Sequence, residues 1–67
     1  MMKPNHRKFR IIFNISGEIA EFYRWAEHEW AAYVQAMRAC AFIYGFSRPK
    51  MRGYRYEVQE VKHEQRH

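Results

Sequence analysis

A chain of 67 residues carrying twelve Lys and Arg against seven Asp and Glu has room for one domain. At that length a fold buries only about 60% of its unfolded surface, so self-association would help to stabilise it. Hydrophobic residues at 48% and aromatics at 18% exclude a disordered tail, and the single cysteine excludes an intrachain disulfide framework.

Residues 1–7, MMKPNHR, read as a basic flexible arm, since Pro4 and Asn5 favour turns and nothing is periodic. Asn14 and Glu18 interrupt any apolar leader, so the expected location is cytoplasmic. From Lys8 to Ile15 the pattern is that of a strand: Phe9, Ile11, Phe13 and Ile15 alternate with Lys8, Arg10, Ile12 and Asn14.

The stretch Ser16 to Phe46 has no Gly or Pro between Glu18 and Tyr44. Ile19, Phe22, Ala26, Trp30, Tyr33, Met37, Ala41 and Tyr44 recur every third or fourth place, which predicts one long central helix with Ser16 as its N-cap and Gly45 as its C-cap. From Trp30 onward that helix is apolar almost all round and needs cover on more than one side. Residues 30–46 are too short, and carry Arg38, so they do not make a spanning helix, and a membrane-surface role is least expected because Arg and Lys lie mostly outside this apolar half. Cys40 lies within it as a small buried hydrophobe.

Residues 47–53 read as a loop with Arg48, Lys50 and Arg52. A second strand follows over 54–62, with Tyr54, Tyr56 and Val58 facing one way and Arg55, Glu57 and Gln59 the other. Residues 63–67 read as a frayed tail. The expected fold class is α+β: a single β-α-β domain over 8–62 whose unbroken helix makes the strands parallel. Two strands and one helix are too few for an independent sheet, so a homodimer is expected to complete it.

Charge is segregated along the chain, with +4 over residues 1–16, −2 over 17–46, +4 over 47–56 and −1 over 57–67. In a parallel unit Arg7, Lys8, Arg10, Arg48, Lys50, Arg52 and Arg55 would converge at one end, an electrostatic footprint for an acidic partner. Trp25 with Ala32, Ala36 and Ala39 marks an expected helix interface with another subunit or a partner. Residues 52–59, RGYRYEVQ, partly resemble the RNA-recognition-motif strand pattern in Arg52, Gly53, Tyr54 and Tyr56. They depart from it at Arg55, Glu57 and Gln59, and the predicted elements are too few for that fold.

His6, His28, His63 and His67 have no metal-ligand spacing, and Glu27, His28 and Glu29 are sequence neighbours that point apart on a helix. No phosphate loop, nucleophile constellation or paired catalytic carboxylates are present, so neither catalysis, nor a cofactor, nor a small-molecule substrate is expected. The expected function is a small basic binding or regulatory protein that docks nucleic acid or a protein handling it. The alternative is an inhibitor or adaptor of the kind mobile elements and phages encode, binding a host protein through an aromatic surface.

Overall fold

The chain reverses at Ser16 and Gly17, and that reversal decides the architecture. In the computed structural model, which describes residues 5–62, these two residues have φ of 54° and 92°. That is the geometry of a two-residue type I′ turn, whose twist matches the strands it joins. The Asn14 side-chain oxygen accepts from the Gly17 N–H at 2.8 Å and holds the turn closed. Strands β1 (Arg7–Ile15) and β2 (Glu18–Ala26) leave it as an antiparallel pair, from Ile15 opposite Glu18 to Arg7 opposite Ala26.

The long helix expected from Ser16 is therefore corrected: its first half is a strand. Ala20, Phe22, Arg24 and Ala26 point to one face of β2 and Ile19, Glu21, Tyr23 and Trp25 to the other. The aromatic-rich run favours a pleated surface, and as a strand it gives the apolar half of the former helix a sheet to lie on. Ile19, expected in the core stripe, is 63% exposed.

Helix α1 (Glu29–Tyr44) starts from His28, whose Nδ1 accepts from the Ala31 N–H at 3.2 Å. Ala32, Tyr33, Ala36, Met37, Cys40 and Ala41 are its buried residues, and the small ones among them let the helix come close to the sheet. Its end matches the sequence reading. Gly45 adopts φ 73°, its N–H bonds to the Phe42 carbonyl at 3.3 Å, and the Phe46 N–H bonds to the Ala41 carbonyl at 2.9 Å, a Schellman closure.

The expected 47–53 loop contains a short helix, α2 (Arg48–Arg52), capped by Ser47, which buries Met51 completely. Strand β3 (Arg55–Glu60) then pairs with the free side of β1, giving the order β2-β1-β3. The pairing is antiparallel, Asn14 opposite Arg55 and Phe9 opposite Glu60. This corrects the expected parallel unit: the extra strand β2 reverses the direction in which the last strand enters. The fold is a small α+β arrangement of three antiparallel strands and two helices.

Phe9, Ile11, Phe13 and Ile15 of β1 are at most 6% exposed on the face that packs with the helix core. The opposite sheet face carries Lys8, Arg10, Ile12 and Asn14 flanked by Ile19, Glu21, Tyr23, Trp25, Arg55, Glu57 and Gln59. Among the described residues no helix is long and apolar enough to cross a membrane. The expected tail over 63–67, and residues 1–4 of the expected arm, lie outside the described residues.

Candidate functional site

The antiparallel entry of β3 divides the seven predicted cations between the two ends of the sheet. Arg7 and Lys8 stand at the Glu60 end of β1, whereas Arg55 stands beside Asn14 at the hairpin end. All seven therefore do not converge within one chain.

The β1 cations are engaged. Arg7 donates to the Glu60 carboxylate at 3.1 Å and to the Glu27 carbonyl at 2.8 Å. Lys8 places its ammonium 5.1 Å from the centre of the Tyr23 ring, within range of a cation–π attraction. Arg10 is ion-paired to Glu21 and lies 3.4 Å from the Gln59 side-chain oxygen. Glu21 also accepts from the Tyr23 hydroxyl at 3.0 Å. The Arg10 guanidinium and the Tyr23 hydroxyl together hold the Glu21 carboxyl below its usual range. The same bonds raise Arg10 and push the Tyr23 phenol up.

The α2–β3 cations are different. Arg48, Lys50, Arg52 and Arg55 are all exposed, and none has a carboxylate partner among the described residues. Lys50 packs 4.3 Å over the Phe46 ring, which itself stacks on Tyr54. No acidic residue falls between Arg48 and Arg55. The charge of this segment is therefore uncompensated in sequence and in space.

Aromatic residues adjoin it. Tyr33 and Tyr56 stack with centroids 4.2 Å apart, and Trp30 lies 5.2 Å from Tyr33. Burial raises the Tyr33 phenol, with Tyr56 adding to the shift and Arg52 opposing it. Glu29, Trp30, Tyr33, Tyr56 and Val58 line a groove of about 280 Å³. Trp30 was expected in the core and is 62% exposed instead. Beside Glu60, Trp25, Lys8, Lys62 and Val61 help to line a second hollow of about 300 Å³.

The expected interface of Trp25 with Ala32, Ala36 and Ala39 is not one surface. Ala32 and Ala36 are wholly buried against this chain's own sheet and Ala39 is half-buried, whereas Trp25 projects from the opposite face of β2. Sequence reasoning missed the groove because it depends on where α1 begins. The signal that could have found it is Asn14-Ile15-Ser16-Gly17, a turn dipeptide after a side chain able to close it.

Cys40 is wholly buried and its thiol is pushed up by that burial, which leaves it an inert packing residue. Among the described residues no group of His, Cys, Asp and Glu is placed to hold a metal ion. Comparison with protein-family models, with curated proteins and with solved structures found no match.

Proposed function

We propose that this chain is a non-catalytic, cytoplasmic, homodimeric binding protein that docks the phosphate backbone of a nucleic acid through Arg48, Lys50, Arg52 and Arg55. The observation that carries the reading is the absence of compensation: four exposed cations within eight residues have no carboxylate partner among the described residues. Cations that serve only for solubility are usually interspersed with acids, as Arg7 and Arg10 are here. Exposed Tyr56, next in sequence to Arg55, and Trp30 in the same groove add flat rings on which bases stack.

Phosphate contacts release counterions, so four contacts to a duplex give a slope of about −3.6 in log K against log salt. Retention of a labelled mixed-sequence nucleic acid, measured by sedimentation velocity across a salt series, tests this. Arg52→Glu with Arg55→Glu should abolish retention at physiological salt without unfolding the protein, because both side chains are exposed. Unchanged retention would remove this segment from the mechanism.

A second reading, an inhibitor or adaptor that binds a host protein, is favoured by Phe42 and Ile43. These are 88% and 65% exposed, adjacent on α1. Binding to a protein that is insensitive to salt and lost in Phe42→Ser would select it over the first.

A further inference from the structure

The sheet has two outer edges, and the molecule treats them differently. Ile15 and Glu18 flank the two-residue turn as a hydrogen-bonded pair, so Ile19, Glu21, Tyr23 and Trp25 aim their backbone groups outward from β2. Two of those carbonyls are occupied: Arg24 donates to the Tyr23 carbonyl at 2.7 Å, and Gln35 reaches the Trp25 carbonyl at 3.4 Å. On the other side, the Val61 N–H bonds to the Lys8 carbonyl at 2.8 Å, in phase with Gln59, Glu57 and Arg55 facing β1. Tyr56, Val58 and Glu60 therefore aim their N–H and C=O groups outward, and none of these has a partner among the described residues. The bare edge is also the one beside the aromatic groove, where Trp30 and Tyr56 are exposed. Unpaired edges with apolar flanks are templates for another strand.

We propose that β3 pairs antiparallel with β3 of a second copy about a two-fold axis through Val58. Outward-facing groups must meet outward-facing groups, and this register overlaps the whole run from Arg55 to Val61. It sets Tyr56 opposite the partner's Glu60, Glu57 opposite the partner's Gln59, and Val58 opposite its own copy. No like charges oppose one another. Moving the axis to Glu57 would place two carboxylates face to face, and moving it to Gln59 would shorten the overlap. Tyr56 and Val58 of both copies lie on the helix-covered side, so the pairing brings a second wall to the groove of Trp30 and Tyr33.

The pairing has a consequence for charge. Arg55 comes opposite the partner's Val61, which is the strand neighbour of the partner's Lys8 on β1. Both cations point to the open sheet face, about 10 Å apart across two strand spacings. The cations that antiparallel folding separates within one copy are thus rejoined between copies, and each composite surface is incomplete without the partner. That last step rests on the nucleic-acid reading, whereas the strand pairing does not.

Sedimentation velocity without nucleic acid tests the pairing directly, and a dimer is expected. Val58→Pro deletes an outward N–H, as an edge strand allows, and trims a half-buried side chain, and should give a monomer that keeps a folded circular-dichroism spectrum. Val58→Cys supplies an independent readout should that variant not fold. A hydrogen-bonded antiparallel pair has Cα atoms about 5.5 Å apart, within disulfide range. Mild oxidation should therefore link Val58→Cys into covalent dimers while Ile19→Cys, on the capped edge, stays unlinked. A wild-type monomer at high concentration, or equal linkage of the two cysteine variants, overturns the proposal. A dimer that ignores nucleic acid sinks the docking reading and leaves the dimer standing.

Discussion

The two faces of strand β1 hold the molecule together by different physics. On one face Phe9, Ile11, Phe13 and Ile15 are sealed under the helices, and Phe13 meets Phe22 edge-on at 6.0 Å and Tyr33 at 6.0 Å. On the other face Lys8, Arg10 and Ile12 are only half-buried, and order comes from Arg10 with Glu21 and from Lys8 over Tyr23. Apolar burial scales with area removed from water, whereas exposed ion pairs contribute little and weaken with salt. The covered face should therefore supply stability, leaving the open face free to change for recognition.

That contrast is easiest to break at Phe13 and Ile12, neighbours in sequence on opposite faces. Phe13→Ala removes a wholly buried ring and should cost about 3–5 kcal/mol, a large fraction of what a domain of this size holds. Ile12→Ala, at a half-buried position, should cost about 1 kcal/mol. Urea unfolding of the two variants measures the difference. Equal losses would mean that the open face is covered in solution, by a partner or by another copy.

A smaller effect is expected at the turn that creates the open face's outer strand. Gly17 has φ 92°, and a Cβ there would meet nothing within 4 Å, so Gly17→Ala is strained by backbone conformation alone. The expected cost is about 1–2 kcal/mol, or roughly 4–8 °C in melting temperature per kcal/mol. A melting temperature that does not move would show that the hairpin is held by its strand pairing and not by its turn.

This turn also marks where the sequence was legible and where it was not. The alternation in β1, the Gly45 stop of α1 and the second strand near 55–60 all carry strong local signals, and the structure has them. β2 was hidden because Ile19, Phe22 and Ala26 are spaced by three and four, a match to helical period that short apolar runs often give. Its true alternation is masked by Arg24 pointing inward and by Ile19, Tyr23 and Trp25 pointing outward. One missed strand reversed the direction of β3 and so undid the predicted convergence of charge. The clustering of Arg48, Lys50, Arg52 and Arg55 depends on no such direction, because those residues are close in sequence. Trp30 and Tyr56 were unreadable as neighbours, since only the helix start at Glu29 brings them to one groove.

The subtlest difference between the faces is in their response to acid. The titratable neighbours of Phe13 are the phenols of Tyr33 and Tyr56, which ionise only in the alkaline range, so Phe13→Ala should lower stability by the same amount from acid to neutral pH. Glu21 is held below its usual carboxyl range by Arg10 and Tyr23. A lowered folded value means that the stabilising contribution is present above the unfolded value of about 4.3 and is lost as pH falls through the folded one. Glu21→Gln should accordingly lower stability modestly near neutrality and converge on the unsubstituted chain as pH falls, so that the acid limb of the stability curve is flattened. Because the Tyr23 phenol is raised by the same carboxylate, its absorbance titration in Glu21→Gln should move back toward an ordinary tyrosine. If the acid limb keeps its shape and the phenol does not shift, Arg10, Glu21 and Tyr23 are not joined in solution. The open face would then be a looser surface on which the Arg10 charge is as available to a phosphate as those of Arg48 to Arg55.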